Sequence, residues 1–358
     1  MVFNYEPLLT KDDTETVVDY INSGIASPKY INLFEEALSN LIGKPVITCN
    51  SGTSALHLSL LTLGIGEGDE VICPAMSFAA TWNVIRYVNA VPIFVDIDKD
   101  TWNIDVNEVK KNITNKTKAI ISVDLYGNPC DYNSLQELCG DDIALISDSA
   151  QSLGAHYKGK LIGNYGDVSC LSFNVNKIIT AGGGGAIVIN NKKLFSEEKI
   201  RLLLNVNKKN NGYDYYDIGY NYRINPLNSA LGFSQLKRVD SIITNKNKIM
   251  MCYKKFLKGI VQFQKTTTDS CSNYWFVAIK LKTINEKSKV FNKLIDNNIE
   301  VKENYTPASK IEWIRDMGFS NVCKNSNDLF DKSLLLPCGP SLNYSNIEFI
   351  CNLIKESV

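Results

Sequence analysis

The sequence has few histidines, no net charge and no long apolar run, and each shortage excludes a class of protein. Its 358 residues contain only His57 and His156, so a three-histidine metal site is impossible and imidazole-dependent hydrolases are disfavoured. The 38 Lys and Arg residues balance 38 Asp and Glu residues. This balance argues against nucleic acid as a partner, because phosphate neutralisation needs a basic excess. No stretch approaches the roughly 20 apolar residues that a membrane helix needs.

The ten cysteines form no CxxC pair, and their spacing is not that of a zinc site. They are also too sparse for a small domain held by disulfides, so we predict reduced thiols and no metal. The first residues, MVFNYEPLLTKDD, lack the basic and apolar regions of a signal peptide. We therefore expect a cytoplasmic protein that has neither a membrane nor a nucleic acid as its partner.

Short apolar runs alternate with amphipathic stretches through the first half of the chain. The runs predicted to be strands are 46–49, 70–73, 92–95, 119–123, 143–147, 168–173 and 186–189. The predicted helices follow residue 53 and then cover 79–88, 106–112, 134–139 and 226–239. This alternation predicts an α/β fold with a mainly parallel sheet between helix layers. The length favours a large domain, 1–240, and a smaller C-terminal α+β domain, 241–358, on which the N-terminal segment could pack.

Three local features could carry chemistry. The turn Asn50-Ser51-Gly52-Thr53-Ser54 joins a predicted strand to a helix, and helix N-termini bind phosphate, although an ordinary helix cap would have the same sequence. Asp148 follows a predicted central strand, where α/β sheets place ligands. There it could bind a metal, act as a base, pair with a buried cation or cap a helix.

The third feature is Lys177, which precedes the glycine run 182–185. A phosphate-binding P-loop is excluded, because Ile178 follows the lysine where that motif needs Ser or Thr. A lone lysine is usually a solvated surface charge, but one shielded from water has a lowered pKa and can form Schiff bases. A phosphate cradle, a strand-end carboxylate and such a lysine together meet the needs of pyridoxal phosphate (PLP).

The same residues lie in short blocks that resemble the DegT/DnrJ/EryC1/StrS family of sugar aminotransferases. The blocks are FE at 34–35, NSGTSAL at 50–56, PAMSF at 74–78, PIFVD at 92–96, DSAQSLGA at 148–155, SFNVNK at 172–177 with glycines at 184–185, GYNYR at 219–223, LP at 336–337 and PSL at 340–342. The resemblance covers nearly the whole chain. It implies fold type I of the PLP-dependent enzymes, with a large domain built on a mainly parallel mixed sheet.

The resemblance also implies a role for each matching residue that faces the cofactor. Lys177 would form the covalent link to PLP and then shuttle a proton, and Asp148 would pair with the ring nitrogen. Gln151 would lie near the ring hydroxyl, and Phe78 would stack on the ring. The residues expected to hold the phosphate are Gly52, Thr53 and Ser172.

Three further residues concern the subunit interface and the substrate. Asn221 would reach the phosphate of the neighbouring subunit's cofactor, so the resemblance implies a homodimer with shared active sites. Arg223 could contact substrate or form a structural ion pair, and Tyr305 is a second candidate for substrate contact.

The resemblance implies transfer of an amino group from L-glutamate to a nucleotide-linked 4-keto-6-deoxyhexose for surface-glycan synthesis. The run 172–180 is similar to the branch that aminates UDP-linked sugars, which favours a UDP-linked substrate. Two departures fall in the substrate region: Gly183 replaces the frequent glutamate of the glycine loop, and 305–309 (YTPAS) lacks the frequent histidine.

Two other functions are weighed against transamination. Sugar dehydratases of the same fold replace the lysine with histidine, whereas Lys177 is present here. Non-catalytic sensors of this fold usually carry a basic DNA-binding segment, and this neutral chain shows none. His57 is predicted to be a packed or capping residue, and the tyrosines between 213 and 222 could line the sugar site or a dimer interface.

Overall fold

The computed structural model of the protein describes residues 2–25, 27–208, 214–319 and 323–358. The helices are α1 (Lys11–Asn22), α2 (Lys29–Ile42), α3 (Gly52–Leu63), α4 (Ala80–Tyr87), α5 (Val106–Asn112), α6 (Tyr132–Cys139), α7 (Glu197–Leu204), α8 (Pro226–Leu236), α9 (Val239–Phe256), α10 (Ile284–Asp296), α11 (Glu312–Asp316), α12 (Lys324–Lys332) and α13 (Tyr344–Ser357). The strands of the first half are β1 (Val46–Cys49), β2 (Glu70–Pro74), β3 (Val91–Val95), β4 (Thr117–Val123), β5 (Ala144–Asp148), β6 (His156–Tyr157), β7 (Lys160–Leu161), β8 (Val168–Ser172) and β9 (Gly185–Ile189). The later strands are β10 (Gln262–Phe263), β11 (Ser270–Cys271), β12 (Val277–Lys280), β13 (Lys302–Glu303) and β14 (Ser333–Leu336).

Strands from residues 46–189 form a seven-stranded sheet in the order β1-β9-β8-β5-β4-β2-β3. The pairs β2–β3, β2–β4, β4–β5 and β5–β8 are parallel, while β9 runs antiparallel to both β1 and β8. The α/β fold with a mainly parallel mixed sheet is therefore confirmed. Because β1, β5 and β8 run in the same direction, their carboxyl ends lie at one edge, where such sheets bind ligands.

Helix α3 connects β1 to β2 and packs against the sheet. Most of its residues are buried, including Ala55, Leu58 and Leu60, so it is apolar on nearly all sides. Such a helix is stable only when protein surrounds it. It packs against β8, β9, α4 and α7, and this burial fixes the position of its first turn at the edge of the sheet.

The helix predicted over 226–239 is present as α8, which ends three residues earlier, and the next helix, α9, begins at Val239. Arg238 leaves the helical backbone (φ −113°, ψ 9°). Its guanidinium forms an ion pair with the buried Asp13 of α1, with Nη2 and Oδ2 2.5 Å apart. This contact favours the break between the two helices.

A second sheet, in the order β10-β12-β14-β13, is built from residues of the C-terminal region, and a small third sheet has the order β11-β6-β7. The N-terminal segment packs on the second sheet. The Asn4 side chain donates to the Leu335 carbonyl (2.8 Å), and the Cys338 NH donates to the Asn4 carbonyl (2.8 Å). The division into domains 1–240 and 241–358 stays a prediction.

All ten cysteines are free, and most are buried. Within the described ranges, no helix has the length and apolar character needed to cross a membrane. Across the same residues, no group of three or more His, Cys, Asp or Glu side chains is placed to hold a metal ion.

Candidate active site

A cavity of about 410 Å³ opens at the edge of the large sheet where β1, β5 and β8 end. It collects all but two of the predicted site residues, although they are spread over 250 positions of the sequence. The predicted residues that line it are Gly52, Thr53, Phe78, Asp148, Gln151, Ser172, Lys177 and Tyr305. The two that do not line it are Asn221 and Arg223.

The first turn of α3 forms one wall of the cavity. Ser51 caps the helix, and its side chain accepts a hydrogen bond from the Ser54 NH at 3.1 Å. A Cβ at Gly52 would lie 3.0 Å from the Ser172 Cβ, so a glycine is needed where the helix meets the end of β8. Helix N-termini carry free NH groups and partial positive charge. This wall is therefore suited to a phosphate group.

Asp148 ends β5 and is 5% exposed. Its Oδ2 accepts from the Thr81 hydroxyl (2.9 Å), and its Oδ1 accepts from the Ala150 NH (3.2 Å). Both donors are neutral. Burial raises the pKa of Asp148, while the charge of Lys177 opposes this shift. A buried carboxylate held by neutral groups and lining a cavity is suited to a cationic ligand group, such as a protonated ring nitrogen.

Lys177 lies in the loop between β8 and β9. Its Nζ is 3.8 Å from the centre of the Trp275 ring, and its carbonyl accepts from the Tyr5 hydroxyl at 2.7 Å. Burial lowers the pKa of the amine to about 8, although Asp148 acts in the opposite direction. About half of the amines are therefore neutral near pH 8, which is the form that attacks a carbonyl group.

Sequence reasoning did not assign Trp275 to the site. The side chain is 1% exposed and its Nε1 donates to the Asn176 carbonyl at 2.5 Å. It therefore contacts both the backbone before the lysine and the lysine amine. No local motif could have found it, since it lies about 100 residues after its partners and comes from another part of the fold.

Two aromatic side chains stand at the cavity mouth. Phe78 is 58% exposed and makes an edge contact with Tyr305, with ring centroids 6.1 Å apart. Tyr305 also stacks on Tyr126 at 6.1 Å and 17°. Because Tyr126 and Phe78 hold Tyr305 from two sides, the exposed ring of Phe78 is the one that could cover a planar ligand.

Gln151 is 3% exposed and lines the cavity beside Asp148. Its Oε1 accepts from the Tyr126 NH at 2.7 Å, and its carbonyl accepts from the Asn273 side chain at 2.9 Å. The first bond fixes the amide with its nitrogen as the end free to donate. This placement is suited to hydrogen bonding with a ring hydroxyl.

The two residues outside the cavity belong to the segment that follows the polar stretch 205–217. Asn221 is exposed, and its carbonyl accepts from the Asn50 side chain at 3.4 Å. Arg223 is also exposed and donates to the Asn205 side chain. Neither side chain lines the cavity of its own chain.

The tyrosines of the same segment pack around His57. Tyr220 and Tyr222 stack with centroids 5.0 Å apart, and the Tyr222 hydroxyl lies 3.1 Å from His57 Nδ1. His57 is 4% exposed, and burial lowers its pKa. It is thus a packed histidine. Tyr213, also assigned to this group from the sequence, lies outside the described residues.

The residues of the cavity fit PLP. The α3 N-terminus and Ser172 would hold its phosphate, Asp148 its ring nitrogen and Gln151 its ring hydroxyl, while the Lys177 amine is available for covalent attachment. These roles are proposals that rest on the placement of the side chains.

Comparison with known proteins also indicates a PLP-dependent enzyme. The model of the DegT/DnrJ/EryC1/StrS aminotransferase family matches residues 7–355. The chain is 38% identical to GDP-perosamine synthase of Escherichia coli O157:H7, over 98% of the chain and 97% of that protein. It is 30% identical to UDP-4-amino-4,6-dideoxy-N-acetyl-β-L-altrosamine transaminase of Helicobacter pylori, over 98% and 96%.

Solved structures agree with this match. A candidate sugar aminotransferase of Streptococcus pneumoniae, solved in pyridoxamine phosphate (PMP) and PLP forms, superposes with TM-scores of 0.94 and 0.93. In both cases the identity is 27%, and the match covers 99% of this chain and 98% of that chain. The chain therefore belongs to the DegT/DnrJ/EryC1/StrS aminotransferase family and is a PLP-dependent sugar aminotransferase.

Proposed function

We propose that the protein transfers an amino group from L-glutamate to a nucleotide-linked 4-keto-6-deoxyhexose used in surface-polysaccharide synthesis. The observation that carries the proposal is one cavity that combines the Lys177 amine, the buried Asp148 and the start of α3. The H. pylori relative is named for a 4-amino-4,6-dideoxy sugar. A transaminase places an amino group where its acceptor has a carbonyl, so such a product corresponds to a 4-keto-6-deoxy acceptor.

Two nucleotides, UDP and GDP, are candidates for the carrier of the sugar substrate. The sequence around Lys177 favours a UDP-linked sugar, and the H. pylori relative is named for one. The E. coli relative is named for a GDP-linked sugar and shares more of its sequence with this chain, at 38% against 30% identity. We propose the GDP-linked sugar as the first candidate and the UDP-linked sugar as the second.

The residues of the chain would divide the reaction among them. When bound, PLP supplies an aldehyde that accepts the amino group and a ring that accepts electrons from the substrate carbon. Lys177 Nζ would take a proton from the donor carbon and later return one to the sugar carbon. Asp148 would keep a proton on the ring nitrogen, while the NH groups of Gly52 and Thr53 would bind the phosphate.

We also propose a homodimer that works in the cytoplasm. Asn221 is exposed and outside the cavity of its own chain, as expected of a side chain that serves a partner's site. The ten free cysteines are compatible with a reducing compartment.

The first test is an absorbance spectrum of the purified protein before and after addition of L-glutamate. We expect a visible band from bound PLP that bleaches as 2-oxoglutarate forms, and that returns when a 4-keto-6-deoxy sugar is added. The relative kcat/KM for GDP-linked and UDP-linked sugars then decides between the two nucleotides.

Matched lysine variants make this test specific. Lys177→Ala should lose both the visible band and transamination, whereas Lys11→Ala, which changes a lysine on the exposed face of α1, should keep both. A band that persists with every amino donor would instead favour a dehydratase. Failure to bind PLP at all would refute the proposed function.

A further inference from the structure

A second buried carboxylate lies directly behind the active site. Asp124 follows the last residue of β4, while Asp148 is the last residue of the neighbouring β5. The Asp124 NH donates to the Asp148 carbonyl at 3.3 Å, so the two residues are cross-strand neighbours. Asp124 is 0% exposed and does not line the cavity, and the reaction described above gives it no role.

Four neutral groups donate to this carboxylate. Its Oδ1 accepts from the Cys130 NH (2.8 Å) and the Tyr132 hydroxyl (2.7 Å). Its Oδ2 accepts from the hydroxyls of Ser152 (2.6 Å) and Ser149 (3.3 Å). Four donors on two oxygens satisfy an ionised carboxylate, which can only accept. Burial raises the pKa of Asp124 to about 6, so the group is charged at pH 8.

These bonds hold the two loops that position Gln151. Ser149 and Ser152 flank Gln151 in the turn after β5, and Cys130 lies in the loop that carries Tyr126. The Tyr126 NH in turn donates to Gln151 Oε1 at 2.7 Å. The Asp124 carboxylate therefore connects the turn that presents Gln151 to the loop that orients its side chain.

The charge has a second effect because it is buried close to Asp148. No cation is among the four groups bonded to Asp124, and a charge in a buried site is weakly screened. Negative potential from Asp124 would add to that of Asp148 at the place where the ring nitrogen of PLP is expected. A protonated ring nitrogen is favoured by both charges.

We propose that Asp124 is a positioning residue for PLP, which fixes the turn carrying Gln151 and adds a second negative charge behind Asp148. The titratable groups that face it are Asp148 on β5, Cys130 and Tyr132. Burial raises the pKa of both the Cys130 thiol and the Tyr132 hydroxyl, so neither gains charge between pH 6 and 9. A substitution of Asp124 therefore removes the charge of Asp124 alone and leaves Cys130 and Tyr132 uncharged.

The test is Asp124→Asn, which removes the charge and keeps the shape. The Asn oxygen can accept from the Cys130 NH, and its NH₂ can donate to the hydroxyls of Ser149 and Ser152, since hydroxyls both donate and accept. We expect the apparent Kd for PLP, measured by titrating the cofactor-free protein, to rise about tenfold. We also expect the pH midpoint of the visible band to fall by about 0.5, because a nearby negative charge favours the protonated chromophore.

Asp167 provides a matched control. It is also buried (9% exposed) and is held by neutral donors, the Leu145 NH (2.8 Å) and the Asn191 side chain (2.7 Å). However, its partner Leu145 lies near the start of β5, three residues before Asp148, which corresponds to about 10 Å along the strand. Asp167→Asn should lower the stability of the fold and leave both the PLP affinity and the pH midpoint unchanged.

A second variant separates the two effects and does not depend on Asp124→Asn folding. Ser152→Ala removes one bond to Asp124 without changing any charge, so the Kd for PLP should rise about threefold while the pH midpoint stays the same. The inference is overturned if Asp124→Asn keeps the wild-type Kd and midpoint, or if Asp167→Asn shifts them equally. An unchanged Kd in Ser152→Ala would overturn the part that concerns the turn.

Discussion

The amine of Lys177 rests on an aromatic ring rather than on the nearby carboxylate. Trp275 presents its ring face 3.8 Å from Nζ, and that ring is itself held by the bond from Nε1 to the Asn176 carbonyl. Contacts between a cation and a ring contribute about 0.5–2 kcal/mol, depending on how far water is excluded. An amine placed on Trp275 leaves the Asp148 carboxylate available for a ring nitrogen.

The lowered pKa of Lys177 predicts how PLP capture depends on pH. Only the neutral amine attacks an aldehyde, and burial moves the pKa of this lysine from 10.5 to about 8. The rate of PLP capture by the cofactor-free protein should therefore rise with pH and level off above a midpoint near 8. Stopped-flow absorbance between pH 6.5 and 10 measures this midpoint.

The variant Asp148→Asn tests whether this midpoint reports the pKa of Lys177. Asp148 raises the pKa of the lysine, so Asp148→Asn should move the midpoint below 8. A wild-type midpoint near 10 would mean that the amine is solvated, contrary to its position in the structure.

At the scale of single residues, the sequence predicted the groups that sit in short motifs. Asp148 and Lys177 were found because Asp148 lies at the end of a strand, Lys177 lies in the loop after one, and both belong to a recognisable block. Trp275 and Asp124 were not assigned to the site. Both residues act through contacts with distant parts of the chain, and the sequence around each residue does not show such contacts.

The glycine run 182–185 allows two elements, β9 and α3, to pack closely. Its last residue opens β9 and passes beneath the start of α3, and Ser51 and Gly184 form a bridge there. A Cβ at Gly185 would lie 2.4 Å from the carbonyl atoms of Ser51 and 2.6 Å from the Gly52 nitrogen. The backbone can approach the phosphate wall this closely only because no side chain is present.

We expect Gly185→Ala to lower the free energy of unfolding by about 1–3 kcal/mol, since backbone atoms must move. It should also weaken PLP binding, because the atoms that move belong to the first turn of α3. Chemical denaturation and PLP titration measure the two effects.

Gly183→Ala is the control for stability within the same run. A Cβ there would come no closer than 3.9 Å to the Asn228 side chain, so we expect a change within about 0.5 kcal/mol. Equal losses for both alanine variants would contradict the role given to close packing at Gly185.

Elements were predictable where their pattern is local. The predicted strands and helices between 46 and 189 follow from alternating apolar runs and turn residues, and the structure has them within a few residues of the predicted bounds. The two-residue strands β6 and β7, in the same range, were not predicted. The helix predicted to end at 239 ends at Leu236 instead, close to Arg238, whose partner Asp13 lies 225 positions earlier in the chain. No pattern near residue 238 contains that information.

In the homodimer that we propose, each active site would contain residues from both chains. If Asn221 serves the partner's cofactor, subunits with different defects should complement each other. Lys177→Ala and Asn221→Asp are each expected to be inactive. In a mixed dimer, one site would combine the intact Lys177 of one chain with the intact Asn221 of the other.

Mixing the two variants after dissociation and reassembly should therefore restore about a quarter of the wild-type activity, because half of the dimers are mixed and each has one intact site. Each variant carried alone through the same treatment is the control. Absence of recovery in mixtures shown to exchange subunits would place Asn221 in its own chain's site and refute the shared site.

The position of β1 in the large sheet also has a consequence for synthesis of the chain. This edge strand has β9 as its partner in the sheet, and β9 is completed about 140 residues after β1. At about 5–20 residues per second, a ribosome needs on the order of ten seconds to make that partner. Throughout this interval the four residues of β1, which are buried in the native state, and the apolar helix that follows them lack the contacts that β9 provides. The nascent chain should thus be most prone to aggregation, and most dependent on chaperones, before residue 189 leaves the ribosome.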